Sequence, residues 1–119
     1  MDIGRWDVRV YRMADGSMPV QEFLDALPVK KAQKILRDID VLETYGPRWG
    51  MPHVRPMPQR MYELRTEHGS DIFRMFFFHW HHTVLVLTNG YQKKSPKMDT
   101  HEFERAKRYR DDWVQRGGL

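Results

Sequence analysis

Two arginines stand where a hairpin would set them side by side. Arg65 ends one strand-like run, Arg74 begins the next, and the His68-Gly69-Ser70 turn between them is short. Two guanidinium forks so placed can hold a phosphate bidentately. Lys93, Lys94 and Lys97 follow the next strand in a run without acids and can reach the same end of the sheet. His101, in the first turn of the last helix, adds a group that titrates near neutrality. A second acid-free run carries Arg48, His53, Arg55 and Arg60. This is a pattern suited to a phosphodiester. A plainer use competes with it: Arg65 pairs with Glu63 or Glu67, and the lysines only blunt an exposed sheet edge. On residue chemistry alone the two readings are even.

Other chemistries find little support. Imidazoles at alternate positions of His79-Trp80-His81-His82 point to one side and could hold zinc, but nothing local completes a tetrahedron, so a turn is expected there and no metal. Phe76-Phe77-Phe78 reads as a strand buried on both faces rather than a base-stacking platform. With no cysteine, disulfides, thiolate metal sites and cysteine nucleophiles are excluded. Ser17, Ser70 and Ser95 lie in no nucleophile elbow, and no Gly-rich phosphate loop occurs, so no cofactor is expected. Lys30, Lys31, Lys34 and Arg37 alternate with Asp25, Asp38 and Asp40 as a solvated helix face.

The elements that must position these residues come from periodicity. The 119 residues suit one domain spanning 1–119, with 40% hydrophobic residues for its core and a formal charge of +4. With 30% charged residues no segment is apolar enough for a membrane span, and Met1 to Trp6 lack the basic patch and apolar run of a secretory signal, so a cytoplasmic protein is expected. Alternation predicts a strand near 6–12. Val20, Phe23, Leu24 and Leu27 form one stripe of a short helix that Pro28 interrupts, and Ala32, Ile35, Leu36, Ile39 and Leu42 form a second that Gly46-Pro47 stops, so a helical hairpin is expected. Gly50, Pro52, Pro56 and Pro58 predict an irregular basic loop over 48–58. Runs at 61–65, 72–78 and 83–88 predict an antiparallel meander. Asn89-Gly90 then reads as a bend before a short edge segment at 91–94. Asp99 with Glu102 resembles a capping box for a last helix whose Phe103, Ala106, Arg110 and Trp113 share one face. The expected fold class is α+β: a small antiparallel sheet with an N-terminal helical hairpin and a C-terminal helix.

The order Met18-Pro19-Val20-Gln21-Glu22-Phe23-Leu24, Leu27-Pro28, Tyr62-Glu63-Leu64-Arg65, Ile72-Phe73-Arg74-Met75-Phe76-Phe77 and Tyr91-Gln92-Lys93-Lys94-Ser95-Pro96-Lys97 resembles toxins of the RelE/ParE superfamily, and within it the HigB-like, or phage Gp49-like, group. The likeness runs over nearly the whole chain. It implies a RelE-like fold and a type II toxin that cuts mRNA in the translating ribosome, inhibiting translation as an endoribonuclease. It implies catalytic roles for Arg74 at the phosphate, Arg65 in support, Lys94 as a second cation and His101 near the place of an aromatic or imidazole group. Arg74 and Lys94 are then expected on a solvent-facing edge. Lys93, Lys97, Arg48, His53, Arg55 and Arg60 would contact RNA. Where RelE proper carries two lysines this chain has Met61 and Glu63, so the usual general base is missing and His53, Arg55 and Arg60 are candidates for its work. The implied partners are the ribosome, mRNA and a cognate antitoxin, typically a small helix-turn-helix protein. Two alternatives share the fold: a non-enzymatic DNA gyrase inhibitor like the ParE branch, and a detoxified phage remnant that only binds its partner.

Overall fold

The computed structural model describes residues 5–119; Met1 to Gly4, the start of the segment read for a leader signal, lie outside the described residues. Among the described residues the chain is mixed α+β, a five-stranded sheet with three α-helices. In order come β1 (Asp7–Val10), α1 (Pro19–Asp25), α2 (Val29–Tyr45), β2 (Val54–Met57), β3 (Met61–His68), β4 (Asp71–Trp80), β5 (Val84–Gln92) and α3 (Thr100–Gln115), with 3-10 turns at Gly46–Trp49 and Pro58–Arg60. The strands lie in the order β1-β5-β4-β3-β2. No helix among the described residues is long and apolar enough to cross a membrane.

The sheet has two apolar faces because its strands alternate on both sides. Leu64, Phe73, Met75, Phe77, Leu85 and Leu87 face one way, against Val20 and Leu24 of α1 and Ile35 and Leu42 of α2. Met61, Phe76, Phe78, Val84 and Val86 face the other way, against Phe103, Ala106 and Trp113 of α3. The aromatic run of β4 is therefore core on both faces, as its composition predicts. Each of α1 and α2 is laid on the sheet, α1 on β5 and α2 on β3 and β1. What periodicity reads as a helical hairpin is thus two consecutive helices whose described packing is against strands.

Three expectations need correction. The sheet is not wholly antiparallel, since β1 pairs in parallel with β5, Asp7 opposite Val84 through Val10 opposite Leu87. The basic loop contains a strand: β2 pairs antiparallel with β3 at the sheet edge, where Pro56 needs no outward N–H partner. And Asn89-Gly90 is no bend, for β5 runs straight through it to Gln92. A bulge at Thr88 resets the register between Phe76 opposite Asn89 and Phe77 opposite Leu87. The Asn89 amide then donates to the Glu102 carbonyl at 3.1 Å and to its carboxylate at 2.9 Å. A side chain so engaged has left its turn-forming role. Asp99 does cap α3, accepting the Glu102 N–H at 3.1 Å, but the Glu102 carboxylate reaches Asn89 and Arg105, so only half of the expected capping box is present.

The termini are joined across the α3 face. Tyr11 donates its phenol to Asp112 at 2.6 Å, and Arg116 binds the same carboxylate. Burial, then the Asp112 bond, pushes the Tyr11 phenol up to about 12.

Gly90 is needed for close approach. A Cβ there would lie 2.7 Å from Phe23 Cδ2 and 3.0 Å from Met75 Cγ. Gly90→Ala is therefore expected to destabilise the protein by about 1–3 kcal/mol through overpacking. Pairing it with Phe23→Leu should cost less than the sum of the two single changes, because both act in one contact. Urea denaturation of the double-mutant cycle checks this, and strict additivity would refute it.

Candidate functional site

Register places the candidate residues on one face. Arg55 lies opposite Glu63, Arg65 opposite Arg74, and Arg74 opposite Tyr91. Opposed residues of antiparallel strands share a face, as do residues two apart on one strand. Arg55, Glu63, Arg65, Arg74 and Tyr91, with Lys93 two residues on, therefore point to the side of the sheet that α3 covers farther along, over Phe76, Phe78 and Val86.

At the centre of this cluster is a buried ion pair. Arg74 donates from Nη1 to Glu63 Oε1 at 2.6 Å, with Glu63 0% and Arg74 5% exposed. The expected solvent-facing Arg74 is thus corrected, because β4 is the middle strand of five and the neighbouring carboxylate compensates the charge in place of water. Around the pair Glu63 Oε2, Arg74 Nε and the Tyr91 hydroxyl are buried without a hydrogen-bond partner among the described residues. Burial first, and the Glu63 charge after it, raise the Tyr91 phenol above its ordinary value against an opposing pull from the Asp99 backbone.

Over this pair lies the accessible charge. Arg65 leaves Glu63 to Arg74 and pairs with the exposed Glu67 at 2.6 Å. A partly exposed pair of that kind is worth about 0–1 kcal/mol, so an anion can take Arg65 from it cheaply. Arg55 is exposed and Lys93 half-buried. The Lys93 ammonium sits below the ordinary lysine value through desolvation and then through repulsion by Arg74, Arg65 and Arg55, with Glu63 opposing. These cations feel one another as one patch.

The remaining candidates divide. His53 lies beside Arg65 through its backbone, its carbonyl accepting the Arg65 N–H at 2.8 Å, while its ring stacks at 4.2 Å between centroids on Trp49, which packs against the core on the α2 side. Lys94 and Lys97 are exposed in the connection to α3 and make no ion pair among the described residues. His101 is exposed one residue before Glu102, with no hydrogen bond to the cluster among the described residues. Arg48 is not brought in, for it shares a recess with Arg5, Tyr45 and His82 at the Val84 end of β5, opposite Tyr91. Arg60 sits with Gln59 in a left-handed turn before Met61, at the far end of β3 from Arg65. Glu63 as the partner of Arg74, and Tyr91 above it, escaped the sequence reading, although Glu63 with Arg65 and Tyr91 with Lys93 carry the two-residue spacing of a shared face. Of the histidines in the 79–82 run, His79 lies within hydrogen-bond distance of the His82 carbonyl, 2.9 Å away, across the β4–β5 turn.

Burial changes what truncation should do. Arg74→Ala leaves the Glu63 carboxylate buried without a partner and is expected to cost about 3–5 kcal/mol. Replacing both residues, Glu63→Met with Arg74→Met, should recover most of that loss, while the exposed Lys94→Ala should stay within about 0.5 kcal/mol of the parent. Chemical denaturation measures all three, and an Arg74→Ala protein as stable as the parent would refute the pair's structural role.

No curated protein matches the chain. Residues 22–111 match the family model described as Phage derived protein Gp49-like (DUF891), a stretch that runs from within α1 through α2 and the basic face to most of α3. With the larger part of its length inside that match, the chain belongs to the Gp49-like family of phage-derived proteins.

Proposed function

We propose that this chain is the toxin of a type II toxin–antitoxin pair and cuts mRNA on the translating ribosome. The observation that carries the reading is the patch of Arg55, Arg65 and Lys93 over the buried Arg74–Glu63 pair. Membership in a phage-derived family of the broad RelE/HigB-like toxin group supports it.

In this mechanism the patch binds the scissile phosphodiester. The ribose 2′-oxygen attacks phosphorus, the bond to the 5′-oxygen breaks, and the surplus negative charge falls among fixed cations. Arg65 is the accessible fork for the phosphate oxygens. Arg74, held from below by Glu63, fixes the field in which that charge develops. Lys93, lowered from the ordinary lysine value by desolvation and then by the neighbouring arginines, adds a cation beside Arg65 for the phosphate oxygens. Lys94 adds a second cation, and His101 orients RNA or transfers a proton. His53 and Arg55 bind RNA from the β2 side and Lys97 from the α3 side. A helix-turn-helix antitoxin covering this face would silence it, and the reaction belongs to the cytoplasm, where ribosomes are.

Induced alone, the protein should arrest bacterial growth, and its antitoxin should relieve the arrest. In a reconstituted translation system, Arg65→Ala and Lys93→Ala should each lower cleavage roughly a hundredfold. Their melts should stay near the parent's. If Arg55, Arg65, Lys93 and Lys94 each neutralise one phosphate, log Kobs for single-stranded RNA should fall with log salt at a slope of about −3. A flat salt response, or cleavage unchanged in both variants, would sink the site. Blocked gyrase supercoiling without RNA cleavage would transfer the reading to the ParE-like alternative.

A further inference from the structure

Beside the basic patch is an open cleft of about 590 Å³ between α1 and the connection from β5 to α3. Its volume falls in the range of sites that hold small ligands, roughly 300–1,000 Å³. One wall is apolar, made by Phe23, Ala26 and Leu27; the other carries Lys93, Lys94 and Lys97. The Phe23 ring is braced rather than loose. It stands over Gly90, which has no side chain to push it away, and meets Phe73 edge-on with centroids 6.2 Å apart. A fixed aromatic wall facing a row of ammonium groups has the two chemistries a nucleotide presents, a flat apolar base and an anionic phosphate. The acid in the lining, Asp99, has its carboxylate turned to the Glu102 N–H at the start of α3, where the helix end offsets its charge.

The cleft meets the patch at the edge of β5. Its α1 wall covers the face of the sheet opposite Arg74, and past Leu87 β5 has no strand partner on its β1 side among the described residues, so Tyr91 and Lys93 belong both to the cleft lining and to the patch. A strand whose phosphate lies on Lys93 can turn over this edge and set its next nucleotide in the hollow. We infer that the cleft between α1 and residues 90–99 seats one unpaired nucleotide of the bound RNA, its base against Phe23 and its phosphate between Lys94 and Lys97. This rests on the proposed RNA cleavage and extends it, for it makes α1 the element that chooses the nucleotide beside the cut.

Ala26 gives the test, since it is exposed on the cleft wall and can be enlarged without disturbing the core. Isotope-labelled parent protein is titrated with a 2′-O-methyl hexanucleotide RNA, which it cannot cut, and separately with a nucleoside monophosphate. The hexanucleotide should shift the backbone signals of Ala26, Gly90 and Ser95 along with those of Arg65 and Lys93. Ala26→Glu, which sets a carboxylate against the incoming phosphate, should weaken this binding about tenfold or more, and Ala26→Gln, of the same size without the charge, should lose less. In the translation assay Ala26→Glu should redistribute the cut sites while Ala26→Gln keeps more of the parent pattern. Shifts at Arg65 and Lys93 with Ala26, Gly90 and Ser95 silent would overturn the cleft and leave the nuclease reading standing. Silence at every position would overturn both. Equal affinity for the monophosphate would assign the cleft to free nucleotides and overturn its place along a strand.

Discussion

The structure turns on two opposite charges with almost no water. Glu63 and Arg74 lie on adjacent strands in the middle of the sheet, each buried and each acceptable there only because of the other. They are a diagonal pair: Glu63 is opposite Phe76, and Arg74 is two residues back. That geometry ties the pair to one register. Side chains alternate between faces, so a one-residue slip of β4 on β3 would carry Arg74 away from Glu63 and into the apolar packing of Leu64, Phe77 and α2. The pair thus opposes misregistration in the strand whose placement sets the cationic face.

The same economy governs β5 and α3. An Asn-Gly step inside a strand is weak on propensity, yet here each residue is committed elsewhere, Asn89 to the first turn of α3 and Gly90 to the Phe23 ring. The bulge at Thr88 accompanies this, and Thr88 spends its hydroxyl on the Phe76 carbonyl and the Asn89 side chain. α3 is anchored at one end by Asn89 and at the other by Tyr11 through Asp112. Between those anchors it covers half of a sheet face and leaves the other half charged.

Much of this was legible in the sequence. Alternation located β3, β4 and the first part of β5, and helical spacing located α1, α2 and α3, because those signals arise from the face each element buries. The Arg65–Arg74 juxtaposition was legible too, since a short turn fixes it locally. The failures share a cause: they depend on how many neighbours an element acquires. Pro56 argued against a strand because the sequence does not say that β2 lies at an edge. Arg74 read as solvated because nothing local says that two strands flank β4 on either side. Arg48, Arg55 and Arg60 are neighbours along the chain and were grouped, but strand direction separates Arg60 from Arg65 and the recess at the Val84 end takes Arg48. Arg55 stays with the patch, and His53 reaches it through its backbone bond to Arg65.

The parallel pairing of β1 with β5 bears on the order in which the chain assembles. The β3–β4–β5 meander closes through turns of a few residues, while β1 must bring Asp7 to Val84 across about two thirds of the chain. Loop closure on that scale is rewarded only once a sheet exists to receive the strand, so the N-terminal strand, though made first by the ribosome, is the natural last to dock. Until it does, residues 84–87 of β5 present an unpaired and strongly apolar strand edge, the surface on which two nascent copies would join.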